Sequence, residues 1–122
     1  MRIHFDEDKP IYLQIAENIE DAILAGAFEE ETQVPSTTEI SVRFKINPAT
    51  ALKGVNILVD NEILYKKRGV GMFVKPGAVE RIRGQRKVAF YERYVQTLLA
   101  EAQKLNLTKQ EIVSMIESGF EK

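Results

Sequence analysis

Cysteine and tryptophan are absent from these 122 residues, and histidine occurs once, as His4. Without thiols there is no disulfide framework, no thiolate metal site and no cysteine nucleophile, so packing must hold the fold and a reducing, cytoplasmic setting is expected. No Ser/His/Asp or metal-ligand arrangement surrounds His4, which is read as a surface residue; neither an enzyme nor a metal or other cofactor is expected. The consecutive carboxylates Glu29, Glu30 and Glu31 belong to a polar loop and are read as solvated, because acid–base pairs require burial. No apolar run approaches the roughly 20 residues of a membrane span. Residues 1–9 are acidic rather than basic-then-apolar, so no signal peptide is expected either. An apolar share of 44 % fills a modest core, enough for one small domain of about 75 residues with an appendage.

Charge of one sign is scarce only locally. The formal net charge is −1, yet residues 1–40 carry 2 basic and 10 acidic side chains, residues 41–87 carry 11 and 3, and residues 88–122 carry 4 and 5. The basic surplus of the middle window is an electrostatic footprint for a polyanion, unless it only solvates a face. What those side chains are attached to decides between the two.

Asp8 as N-cap, Pro10 just inside the start and apolar Ile11, Ile15, Ile19, Ala22 and Ile23 predict a first helix of about four turns that stops at Gly26. Val34-Pro35 forces extended backbone. Ser36 with Glu39 three residues on is a capping box, opening a short helix over Thr37–Phe44. Asn47 and Pro48 then start another helix, whose core face is Ala51, Val55, Leu58 and Val59. Two helices joined by so short a turn have helix-turn-helix spacing. Beyond Asn61-Glu62 the period falls to two: residues 63–68 read as a strand, Gly69-Val70-Gly71 as a tight turn and residues 72–74 as the return. The expectation is an α+β winged helix-turn-helix over residues 1–75.

Pro76-Gly77 marks a boundary, and residues 76–87, with Arg81, Arg83, Arg86 and Lys87, are either a basic linker or a helix start. In residues 88–122, Val88, Tyr91, Val95, Leu98, Ala102 and Leu105 alternate spacings of three and four as a heptad seam, with Tyr94 and Leu99 beside it. Thr108 and Glu111 form another capping box before Ile112, Val113, Ile116 and Phe120. Two such short helices cannot enclose a core. A short all-α dimerisation tail is therefore expected, with Val88, Tyr91, Tyr94, Val95, Leu98, Leu99, Ala102, Leu105, Ile112 and Ile116 at the interface of a homodimer.

On a helix laid in the major groove, Asn47, Ala49, Thr50 and Lys53 face outward, opposite the core positions. Asn suits an adenine edge or a phosphate, Thr a phosphate or a thymine methyl, and Lys a guanine or the backbone. Ser36 and Thr38 open the preceding helix, whose positive end suits a phosphate. Lys66, Lys67 and Arg68 sit at the wing, where Gly69 and Gly71 let the turn lie close to the sugar-phosphate wall. Ser36 and Asn47 taken singly read equally as plain caps, and the wing bases as solubilisers of an edge strand.

Pro10-Ile11-Tyr12-x-Gln14-Ile15, Pro35-Ser36-Thr37-Thr38-Glu39-Ile40-Ser41, Asn47-Pro48-Ala49-Thr50 and the run from Leu64 to Val74 resemble, in order and spacing, successive blocks of the GntR family of bacterial transcription regulators. The Asn-Pro-x-Thr start and the short tail are similar to its YtrA subfamily, whose members carry a two-helix dimerisation tail. The resemblance implies DNA contacts at Ser36, Thr38, Asn47, Thr50, Lys53, Arg68 and Gly69. Thr38 stands where the family commonly has an Arg that reads the groove, so operator preference is expected to differ, or Arg43 or Lys45 compensates. Met72 likewise replaces a frequent Thr. The leading function is a homodimeric repressor binding a pseudo-palindromic operator in double-stranded DNA, through the helix over residues 47–61 and the wing over residues 66–71. The alternative is a protein-interaction winged-helix module that docks an acidic partner. The tail is too short to enclose a sizeable pocket, though a groove between two chains has room for a small-molecule effector that no residue identifies.

Overall fold

The computed structural model describes residues 5–122, so His4 lies outside the described residues. The elements are α1 (Ile11–Leu24), α2 (Thr37–Phe44), α3 (Pro48–Asp60), β1 (Leu64–Lys67), β2 (Gly71–Val74), α4 (Ala78–Phe90), a π-helical turn (Tyr91–Val95), α5 (Gln96–Lys104) and α6 (Lys109–Phe120). They divide into two compact units, the first ending at Arg83 and the second spanning Gly84–Lys122. Among the described residues no helix is long and apolar enough to cross a membrane.

The start of α1 departs from expectation. Pro10 occupies the N-cap position itself, with ψ 139° and no side-chain cap, so Asp8 does not close the helix. A side chain from within the helix does the tethering instead. The buried Gln14 amide donates to the carbonyls of Asp6 and Lys9, both at 2.8 Å, and its oxygen accepts from the Asp6 N–H at 2.7 Å. Every polar atom of that side chain is thus matched, as burial demands. The predicted stripe is covered only from the second turn: Ile15, Ile19 and Ile23 are buried, whereas Ile11 is exposed.

α2 and α3 begin where their caps predict. Ser36 Oγ accepts from the Glu39 N–H at 3.0 Å and the Glu39 carboxylate accepts from the Ser36 N–H at 3.2 Å. Lys45, in left-handed backbone at φ 53°, ends α2, and Ser41 Oγ donates to the Ile46 carbonyl at 2.8 Å to pin the turn. Asn47 Oδ1 then accepts from the Ala49 N–H at 2.8 Å, with Pro48 in the first turn of α3. Ala51, Val55 and Leu58 face the core as the periodicity requires. Gly54 lies between them against α1. A Cβ there would stand 2.8 Å from the Tyr12 carbonyl oxygen and 3.0 Å from the Ile15 side chain, so only glycine permits this helix separation.

β1 and β2 pair antiparallel, Leu64 opposite Val74 and Lys67 opposite Gly71. Residues 31–34, read as plain loop, run along the free edge of β2: Val34 N–H donates to the Met72 carbonyl at 2.9 Å, and Val74 N–H to that of Thr32 at 3.0 Å. That contact supplies the packing a two-stranded hairpin cannot supply alone.

Packing carries the first unit beyond residue 75. The basic segment is helical, and Ala78 and Ile82, four apart on one face of α4, are fully buried in the same core. Glu30, read as a solvated carboxylate, holds the start of this helix by accepting from the N–H groups of Gly77 at 2.8 Å and Val79 at 3.2 Å. Those two bonds hold its carboxyl below the ordinary carboxylate range. Glu62 in turn lies 3.6 Å from both Lys75 and Arg81.

In the second unit, Thr108 and Glu111 exchange the predicted capping-box bonds, each 3.1 Å. The heptad seam does not run through. The wider turn over Tyr91–Val95 adds residues per turn and rotates the faces before and after it out of phase, so Val88 and Tyr91 leave the stripe of Leu98 and Leu105. Ala102 is buried within its own chain, where it lines the groove between α5 and α6. Val88, Tyr91, Tyr94, Leu98, Leu99, Leu105 and Ile116 are exposed, and Val95 and Ile112 half-buried.

Gly54→Ala is expected to destabilise the first unit by about 1–3 kcal/mol, since backbone must move to admit the methyl; an unchanged urea midpoint would contradict the contact. Because Glu30 has a depressed folded pKa, its contribution is complete above the ordinary value of 4.5 and is lost as pH falls through the lowered one. The urea midpoints of wild type and Glu30→Gln should differ at neutral pH and converge in acid.

Candidate nucleic-acid interface

α3 presents Asn47, Ala49, Leu52, Lys53 and Asn56 to solvent, while Thr50 is half-buried at its edge. Ala49, Leu52, Lys53, Asn56, Ile57 and Asp60 line a shallow open groove along this face. Leu52 and Asn56 share this face because they follow Ala49 at helical spacings of three and seven. Of the expected contacts, Ser36 and Asn47 spend their oxygens as caps. What remains is donor capacity: the Ser36 hydroxyl hydrogen and the Asn47 amide N–H groups, which suit phosphate oxygens and purine N7. Thr38 and Arg43 are exposed along α2, with the Arg43 guanidinium 5.7 Å from the ring of Phe44.

Strand alternation sorts the wing. Lys67 lies with Tyr65 and Phe73, its ammonium 4.2 Å from the Phe73 ring centroid and 5.9 Å from that of Tyr65. Lys66, opposite Met72, belongs to the other face. The chain then turns through Arg68 and Gly69, closed by the Val70 N–H donating to the Lys67 carbonyl at 2.9 Å. Gly69 has φ 77°, the left-handed backbone that the third position of such a turn requires. Gln33 braces the tip by donating to the Val70 carbonyl at 3.1 Å, and its amide fills the space that a Cβ on Gly71 would take. At the base of the hairpin, the Tyr65 hydroxyl donates to the Glu31 carboxylate at 3.0 Å. Partial burial, then that carboxylate, push its pKa up, so the phenol stays a donor.

Among the described residues of the first unit, the pairing of charges separates this surface from the rest. Lys9, Lys75, Arg81 and Arg83 each lie within 4.0 Å of a carboxylate. Among the described residues, Arg43, Lys45, Lys53, Lys66, Lys67 and Arg68 have no such ion pair; Arg43, Lys53 and Lys67 rest on aromatic rings instead. A ring face orients a cation without neutralising it, so the positive field of the helix-turn-helix and wing stays directed at solvent.

Known proteins share this arrangement. The family of bacterial regulatory proteins called the gntR family matches residues 11–74. An uncharacterized HTH-type transcriptional regulator of Bacillus subtilis, YhcF, is 27 % identical over 117 residues, covering 96 % of this chain and 95 % of its own length. The crystal structure of a GntR-family protein from Bacteroides thetaiotaomicron is 36 % identical, with a TM-score of 0.78, and covers 91 % of this chain and 96 % of that one. YtrA from Sulfolobus acidocaldarius, a GntR-family transcription factor, is 27 % identical at a TM-score of 0.56, covering 99 % of this chain and 97 % of that one. With helix-turn-helix, wing and sequence blocks all in agreement, the chain belongs to the gntR family of bacterial regulatory proteins and is a DNA-binding transcriptional regulator.

Proposed function

We propose that the chain is a cytoplasmic, homodimeric repressor of the YtrA subfamily that binds a pseudo-palindromic operator. Residues 1–75 carry the DNA-binding surface, residues 76–87 lead into the tail, and residues 88–122 dimerise. The observation that carries the DNA contacts is the set of basic side chains on α2, α3 and the wing that hold no carboxylate, placed beside the donors of Ser36, Thr38 and Asn47. Phosphates complete their coordination, Lys53 and Asn47 meet base edges at the start of α3, and Arg68 and Gly69 approach the backbone from the wing. Lys66 and Lys67, on opposite faces of the hairpin, both add positive charge to the wing.

The dimer is supported by the tail's exposed apolar side chains, among them Tyr91, Tyr94, Leu98 and Leu99, which a solitary chain would leave in water. The subfamily is supported by the Asn-Pro-x-Thr start of α3 and by the likeness to YtrA over both chains. A two-fold axis places the two α3 helices about one turn of DNA apart, roughly 34 Å, and requires matched half-sites. Repression follows from occupancy, since a clamped dimer excludes other proteins from the same DNA. A small-molecule effector would have its place where two tails meet.

Selection from a random-sequence DNA pool should yield inverted half-sites about 10 base pairs apart; asymmetric sites would contradict the dimer. Lys53→Ala should weaken binding to the selected duplex roughly tenfold, within the about 1–3 kcal/mol of a good base contact, while sedimentation still shows a dimer. Binding should fall with salt at about −0.9 in log–log slope per phosphate neutralised, and Arg68→Ala should make that slope shallower. A salt-insensitive complex would exclude the unpaired bases as its source. Leu99→Glu is expected to give monomers at micromolar concentration and weaker operator binding; a persistent dimer would remove Leu99 from the interface.

A further inference from the structure

One side chain of α1 reaches the exposed face of α3. The Lys53 ammonium stands 4.0 Å from the centroid of the Tyr12 ring, the closest of the cation–ring contacts among the described residues. Gly54, next in the chain, makes this possible. It lets α3 approach the Tyr12 backbone so closely that a Cβ would stand 2.8 Å from its carbonyl oxygen. Tyr12 is half-buried and Lys53 exposed, so the ring offers a fixed face and the ammonium keeps an open side.

We propose that Tyr12 is a positioning residue for operator binding: its ring holds the Lys53 ammonium, fully charged, over the start of α3 before DNA arrives. This rests on the reading that Lys53 contacts the operator. A lysine on a four-carbon stem loses rotamer freedom when it docks, and a side chain already held by a ring loses less. A carboxylate in the ring's place would hold the lysine equally well but would compete with phosphate for its charge. The ring does not. The contact therefore contributes affinity through preorganisation, and only while Lys53 is present.

The test combines Tyr12→Phe, Tyr12→Leu, Lys53→Ala and the double variant Tyr12→Leu/Lys53→Ala, measured by fluorescence anisotropy on a duplex selected from a random pool by the wild-type chain. Tyr12→Leu should weaken binding roughly two- to fivefold, the scale of an exposed cation–ring contact. Tyr12→Phe should bind as wild type, and Tyr12→Leu should add nothing once Lys53 is alanine. In NMR spectra of the free chain, the Lys53 ε-methylene protons should be shifted upfield by the ring in wild type and Tyr12→Phe and not in Tyr12→Leu. That readout needs no DNA, and wild type with Tyr12→Phe suffices if Tyr12→Leu does not fold. The proposal is overturned by an unshifted Lys53 signal in wild type, by an equal loss on Tyr12→Leu in the Lys53→Ala background, or by a loss on Tyr12→Phe, which would make the hydroxyl a direct contact. If Lys53→Ala itself binds as wild type, the assignment of Lys53 to the operator fails, whatever Tyr12 does.

Discussion

The close approach of α1 and α3 at Gly54 governs the DNA-binding unit. At any other residue the side chain would meet the Tyr12 carbonyl, a backbone atom with nowhere to go without displacing its helix. With the two helices in register, Ile15 and Ile19 interlock with Ala51, Val55 and Leu58, and the opposite face of α3 is turned outward as one surface. The outward position of Lys53 and its contact with Tyr12 descend from that packing.

Around this pair, the remaining elements are fastened by polar contacts made over long stretches of chain. Gln14 ties down the segment before α1, Gln33 braces the wing tip, and Glu30 holds the first turn of α4. Each is a polar side chain whose oxygen or amide matches backbone groups left open at the end of an element. The carboxylates thus have structural work: Glu30 and Glu31 of the acidic window face α4 and Tyr65, and Glu62 of the basic window faces Lys75 and Arg81. In the first unit carboxylates gather at the joints, and the bases left without them lie on the helix-turn-helix and the wing. A net charge of −1 is therefore compatible with a strongly positive face.

Much of this was legible in advance because it is local. The capping boxes at Ser36 and Thr108, the Asn47-Pro48 start and the drop to period two after Asn61 depend on residues within a few positions of one another, and the structure has them where the spacing put them. Reading failed where a partner lay far along the chain. Glu30 is indistinguishable from its neighbours Glu29 and Glu31 until α4 arrives beside it. Ala78 and Ile82, spaced four apart in a basic segment, carry too weak an apolar stripe to announce a buried helix.

The amino-acid sequence by itself determined the order of elements, the helix-turn-helix, the wing and the segregation of charge, since each is written in spacing, caps and composition. Tertiary structure alone decided that Asp8 caps nothing, that Ala102 is buried within its own chain, that the heptad seam breaks at a π-helical turn, and which cations stay unpaired. The physical reason is range. Hydrogen bonds and periodicity within a helix or hairpin act over a few residues and leave a local signature. Burial and ion pairing depend on which surfaces meet, and in Lys53 and Tyr12 that meeting joins side chains 41 positions apart in the chain.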